Sequence, residues 1–221
     1  MDNAHQSFQR AILRLTAPLN GQYPRPWMSD LTDPLSASLF IVGKNQAKGY
    51  STANLSHQRH MDALFNRAGE SCRGLYEEMV GSPSPTRINT DHFRAMLSRQ
   101  GVLGVLETNV VCYSTPMSND LRLPEHKGGS SRGTEIFREL LRFVQPKVLI
   151  AHGAGTAGSL SRLLGVALPA PPKTLTIPQA TVLGDLTVFV IPSLAPPMWN
   201  QWSKWADPYL TNVVRSAASA L

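Results

Sequence analysis

The sequence predicts an α/β fold, a three-layer αβα sandwich around a central, mainly parallel four-stranded sheet. Three observations predict it. Apolar runs of strand length recur at Leu39–Val42, Val102–Val111, Lys147–Ala151 and Leu186–Ile191. Segments with helical apolar spacing separate them, and parallel strands need such crossovers. Each run delivers a short polar segment: Gly43-Lys44-Asn45-Gln46, Thr108-Asn109, His152-Gly153-Ala154-Gly155 and Pro192-Ser193. Strands of an open α/β sheet carry ligand-binding loops at their carboxyl ends in this way.

The elements follow in order. Phe8 to Ala17 carries Phe8, Ile12, Leu13 and Leu15 at helical spacing and opens the chain as a helix. Pro18 to Pro34 is rich in Pro, Gly and Asn and reads as a loop or a pair of turns. After the first strand, His57 to Met79 reads as helical, with Gly69 and Gly74 as possible breaks and Gly81-Ser82-Pro83-Ser84-Pro85 as its stop. Thr90 to Arg99 is a short helix with Thr90 or Asp91 as N-cap. The polar stretch Ser114 to Ser131 is a surface loop beside the site. Thr134 to Val144 is amphipathic, with Ile136, Leu140, Leu141 and Val144 inward. Gly158 to Gly165 is the helix behind the third strand, and the proline-rich Ala167 to Pro178 is a loop. Ala180 to Leu183 and Thr187 to Val190 form either an edge hairpin around Gly184-Asp185 or a lead-in to the last parallel strand. Trp199 to Ala220 closes the chain as a helix broken at Pro208.

At 221 residues the chain can bury a full core, and residues 1–221 read as one domain. No apolar run approaches bilayer length, so no membrane partner is expected, and residues 1–14 lack the apolar core of a secretory signal. The two cysteines, Cys72 and Cys112, have no CxxC spacing, so a zinc or iron–sulfur site is not expected; two ordinary thiols fit a reducing cytoplasm. The formal charge is +6 and the pI near 9.6, a balance that favours polyanionic partners. The basic residues are scattered, so folding must gather them if they are to bind nucleic acid. A nucleophile elbow G-x-S-x-G and a G-x-x-x-x-G-K-[ST] phosphate loop are both missing. Gly153-Ala154-Gly155-Thr156-Ala157-Gly158 fits G-x-G-x-x-G, but no acidic ribose partner supports a dinucleotide site.

Four segments carry a family resemblance. Val42-Gly43-Lys44-Asn45-Gln46-Ala47 stands where a glycine-started, water-activating loop such as GEAPG, GINPG or GQDPY is found; Phe65-Asn66-Arg67-Ala68-Gly69 resembles FVGRAG. Thr108-Asn109-Val110-Val111 resembles TNVVK, and Gln145 to Ala154 resembles RPKVIVALGA. In this order and on these elements, the set resembles the uracil-DNA glycosylase superfamily, nearest its bacterial and archaeal iron–sulfur branch, over roughly residues 36 to 200. Two features depart from that branch: the four cluster-ligating cysteines are absent, and Ile191-Pro192-Ser193-Leu194 replaces HPSP or HPSY, with no histidine.

The resemblance implies a monofunctional glycosylase that hydrolyses the N-glycosidic bond of a flipped-out pyrimidine, without cofactor or metal, as a monomer acting on duplex or single-stranded DNA. It implies that Asn45 orients the attacking water, since an amide is a poor general base. Phe65 would stack on the base, with core packing as the rival reading, and Asn109 would read the base edge, one amide orientation suiting uracil and the other cytosine. Gly43, Gln46 and Ala47 would complete the base site. In place of the missing histidine, Ser193, backbone amides of the Pro192–Leu194 loop or His152 would donate to the developing O2 anion; His152 has a structural reading as well. Lys44, Lys48, Pro192, Leu194, Met198 and Trp199 would contact DNA, with Leu194, Met198 or Trp199 as an apolar wedge. Trp199, Trp202 and Trp205 fit equally well a helix packing its aromatic face inward.

Ala47 carries the specificity argument. A tyrosine at this place in GQDPY members excludes 5-substituted pyrimidines, whereas alanine leaves the volume open. A 5-modified pyrimidine follows, in the extreme a bulky phage-type cytosine held by Asn119, His126 and Lys127. The alternatives are plain uracil excision in base-excision repair and a catalytically weak DNA-binding relative. Repair and antiviral defence are the two settings.

Overall fold

The computed structural model describes residues 3–172, 177–196 and 202–221, with side chains omitted at 202–205. It is a mixed α/β fold with a central, mostly parallel sheet flanked by helices. The strands are β1 (Gln22–Tyr23), β2 (Trp27–Met28), β3 (Leu39–Gln46), β4 (Tyr50–Ser51), β5 (Val105–Ser114), β6 (Val148–His152), β7 (Ala180–Leu183) and β8 (Leu186–Ile191). The helices are α1 (Asn3–Leu15), α2 (His57–Leu64), α3 (Cys72–Val80), α4 (Pro85–Arg99), α5 (Gly129–Val144), α6 (Ala154–Leu164) and α7 (Trp202–Ser219).

The main sheet has six strands, not four, in the order β2-β5-β3-β6-β8-β7. β3, β6 and β8 are parallel in register, Val42 opposite Ala151 and Ala151 opposite Val190. The two additional strands are antiparallel edges. One is the two-residue β2 inside the Pro18–Pro34 stretch, where Trp27 pairs with Thr108. The other is β7, which turns at Gly184 into β8, so the hairpin and the parallel-strand readings of that segment hold together. A second small sheet pairs β1 with β4.

The chain divides into two compact units, residues 1–37, 43–81 and 106–145 in the first and 38–42, 82–105 and 146–221 in the second. In the second unit, Leu39, Ile41, Val148, Ile150, Phe189 and Ile191 point to one face and join Phe93 and Leu97 of α4 with Tyr209, Leu210 and Val213 of α7 in one apolar cluster. Phe40, Leu149 and Val188 are equally buried on the other face. Burial on both faces is why these strands read as unbroken apolar runs. Helix α7 runs through Pro208 rather than breaking there. Burial of Ala206, Tyr209 and Leu210 around the proline outweighs the one lost hydrogen bond.

In the first unit, Phe8 of α1, Trp27 and Phe65 form an aromatic core, which Phe143 of α5 extends. The expected single helix over 57–79 is two. Asn66, Ala68 and Gly69 all adopt positive φ and unwind the chain between α2 and α3. The Asn66 side chain pins that turn: it donates to the carbonyls of Ser29 and Leu31 and accepts from the Cys72 amide. Gly81 ends α3 at the expected stop, and the same stretch also opens the next helix: α4 begins at Pro85, capped by Ser84 rather than by Thr90 or Asp91. Helix α5 likewise starts early, at Gly129, because Gly129 and Gly133 let it lie close against Tyr113 and the Cys112 backbone.

Candidate functional site

The candidate residues fall in both units, and each group is built by its own strands. In the first unit, β3 continues past its apolar run, so Lys44 and Asn45 are half-buried strand residues and Gln46 is buried. The Asn45 amide is held at both ends. Its Nδ2 donates to Thr115 Oγ1 at 2.9 Å and to the Gln46 carbonyl at 3.2 Å, and its Oδ1 accepts from Ser118 Oγ at 2.6 Å. Thr115 Oγ1 in turn donates to the Met117 carbonyl. Both amide hydrogens are therefore used, and one lone pair of Oδ1 remains. Gln46 Nε2 donates to the Arg25 carbonyl at 2.7 Å, which fixes the amide's orientation; its Oε1 is buried without a partner among the described residues. Gly43 is buried, whereas Ala47 and Lys48 are exposed, with Lys48 Nζ on the Val80 carbonyl.

Asn109 is not at a strand end. Strand β5 runs on to Ser114 because Cys112, Tyr113 and Ser114 are buried, so Asn109 lies midway along it. Its carbonyl accepts from the Cys112 thiol, and its half-buried side-chain amide has no hydrogen bond among the described residues. The residues that the carboxyl end of β5 delivers to Asn45 are Thr115 and Ser118, which sequence reasoning missed. Hydroxyl residues in a polar loop carry no periodic signal, and only the register of β5 against β3 selects these two.

Phe65 is corrected to a core residue. It is 6% exposed, lies edge-on to Phe8 and Trp27, and carries the Arg67 guanidinium 5.3 Å above its ring. A ring so enclosed offers no face to a nucleobase. In the loop expected to hold a bulky substituent, His126 hydrogen-bonds Tyr113, Asn119 and Lys127 are exposed, and the Lys127 carbonyl accepts from Asn20.

In the second unit, β6 ends at His152, opposite Ile191 at the end of β8. The Gly153 amide donates to the Ile191 carbonyl, and Ser193 packs over Gly153, where an added Cβ would lie 3.5 Å from the Ser193 Cβ. His152, Gly153 and Ser193 are thus brought together. Burial pushes the His152 imidazole down to about 4, so it is neutral at pH 7. Ser193 Oγ accepts from the Ala195 amide at 3.1 Å, and its own hydrogen has no acceptor among the described residues. Pro192 is buried.

Leu194 is corrected as well. It is 1% exposed in the apolar cluster with α4 and α7, and its carbonyl accepts from the buried Asn89 side chain at 2.8 Å. A residue anchored in this way cannot serve as a wedge between bases. Met198 and Trp199, the other wedge candidates, lie outside the described residues, as do the side chains of Trp202 and Trp205.

Burial raises the Cys72 and Cys112 thiols to about 11, and neither is bonded to the other. Among the described residues no three His, Cys, Asp or Glu side chains gather as metal ligands, and no helix is long and apolar enough to cross a membrane. Compared with known proteins, the chain matches no family model and no curated protein.

Proposed function

We propose that this chain is a monofunctional DNA glycosylase that removes a flipped-out pyrimidine, with a 5-modified base, in the extreme a bulky phage-type cytosine, as the preferred substrate. The observation that carries the reading is the Asn45 amide. It is clamped through Thr115 and Ser118 and keeps one acceptor lone pair, which suits a group that orients water rather than one that removes its proton. In the reaction, the water oxygen bonds to C1′ while the C1′–N bond breaks. The bonding pair leaves with the base, and a water proton ends on the departing base. The basic charge supports DNA as the partner. The finer architecture belongs to this reading too: a three-layer sandwich acting as a monomer in the cytoplasm, without cofactor.

Defined oligonucleotides carrying uracil, cytosine or a glucosylated 5-hydroxymethylcytosine test the reading. Release of the modified base in excess over uracil is the expected result. Equal release of both removes the specificity, and release of uracil alone makes this a repair glycosylase. Abasic-site binding with no release of any base makes it a DNA-binding relative. Borohydride trapping is expected to capture no adduct, because water and not Lys44 or Lys48 is the nucleophile.

A further inference from the structure

We propose a second binding site in the first unit, a groove between α1 and α2 that takes a nucleoside monophosphate. The groove encloses about 360 Å³, within the usual range for small-ligand sites. Gln6, Gln9, Arg10 and Leu13 line one side at helical spacing, Gln58 and Met61 the other, and Arg67 stands at the turn after α2. No carboxylate is part of this lining.

The two arginines come from different elements, and one is already oriented. Arg67 Nε donates to Asp62 Oδ1 at 2.7 Å, its guanidinium rests over the Phe65 ring, and its two terminal nitrogens have no partner among the described residues. Both oxygens of Asp62 are in use, since the other accepts from Gln58 Nε2 at 2.9 Å. Arg10 has no ion-pair partner among the described residues. A carboxylate fills one guanidinium fork, whereas a phosphate monoester has three terminal oxygens and can bridge two.

The rest of the groove sets the body of the ligand. The Gln6 and Gln9 amides are unengaged among the described residues, and Gln58 keeps its carbonyl oxygen because its nitrogen is held by Asp62. Amides of this kind pair with the donor and acceptor edges of a nucleobase. Leu13, 48% exposed, gives the apolar contact that a base or sugar covers, and the buried Met61 forms the floor beneath it. The site is independent of base excision, so its failure leaves that reading untouched.

Calorimetric titration of the full chain with the four deoxynucleoside 5′-monophosphates tests the site. At least one should bind, and the matching unphosphorylated nucleoside and inorganic phosphate alone should each bind at least about tenfold more weakly. The double variant Arg10→Gln/Arg67→Gln should lose about tenfold or more in affinity. Gln9→Glu, which adds a charge to an exposed helix face and leaves the Arg67–Asp62 pair intact, should repel the phosphate to a similar extent. Competition by a 5′-phosphorylated oligonucleotide, but not by its unphosphorylated form, would identify a strand end as the source; competition by neither would identify the free nucleotide. No binding of any of the four, or binding unchanged in both variants, overturns the proposal.

Discussion

Ser118 donates its hydroxyl hydrogen to Asn45 Oδ1 across 2.6 Å, so a residue 73 positions away in sequence sets the direction of the amide at the end of β3. If Asn45 orients water, Asn45→Ala should lower excision by about 10²-fold or more, the cost expected when an attacking group loses its alignment. Asn45→Asp should restore little, because a carboxylate placed there faces the Gln46 carbonyl and loses both amide donors. Ser118→Ala should lower excision less than Asn45→Ala while leaving the melting temperature nearly unchanged. Single-turnover rates on the substrate oligonucleotide, with melting curves alongside, check all three.

Ala47 is exposed directly after β3. Ala47→Tyr should abolish release of the bulky modified base and spare release of uracil, because the added ring fills the volume that a 5-substituent needs. Parallel excision assays on the two oligonucleotides read the ratio. Equal loss on both substrates would mean that this position does not face C5.

Acid should destabilise the fold early. His60 is completely buried against Tyr23, Tyr50 and His57, and neither of its ring nitrogens has a partner among the described residues. Burial, with the nearby His57 and Arg25 adding to it, lowers this imidazole to about 3, and burial lowers His152 to about 4. Both therefore bind their proton more weakly folded than unfolded. Their contribution is fully present above about pH 6.5 and is lost as the pH falls toward the folded values, at about 1.4 kcal/mol per pH unit for each ring. Urea midpoints at pH 8, 6, 5 and 4 should fall accordingly. His60→Phe should flatten the slope and raise stability at pH 7, since it removes a buried polar ring that has no hydrogen bonds.

Gly133→Ala should destabilise by about 1–3 kcal/mol. The new Cβ would lie 2.8 Å from the Cys112 backbone nitrogen and 2.9 Å from Val111 Cγ1, and a buried strand backbone cannot move aside cheaply. Chemical denaturation should show the loss in the midpoint with an unchanged slope.

These predictions rest on features that were legible in the sequence to very different degrees. The apolar runs of β3, β6 and β8 could be read because both faces are buried, and burial on both faces leaves no polar alternation to confuse them. The two-residue β2 could not, since it has no period and is held by its pairing with Thr108 and Glu107. The break after α2 was only half visible: Gly69 signals it, but Asn66 and Ala68 adopt left-handed backbone through contacts made by the Asn66 side chain to Ser29 and Leu31. At the candidate site, strand ends could be located, but not which side chains they face. Phe65 and Leu194 have the chemistry of a stacking ring and a wedge, and packing against Trp27 and against α7 assigns them elsewhere.

The depth at which Cys72 and Cys112 lie has a practical consequence for studying this molecule. Thiols that ionise only near pH 11 and have almost no accessible surface will ignore maleimide reagents at neutral pH. A single cysteine introduced at an exposed position such as Lys48 would therefore take up a fluorophore alone, and the native background would need no prior removal.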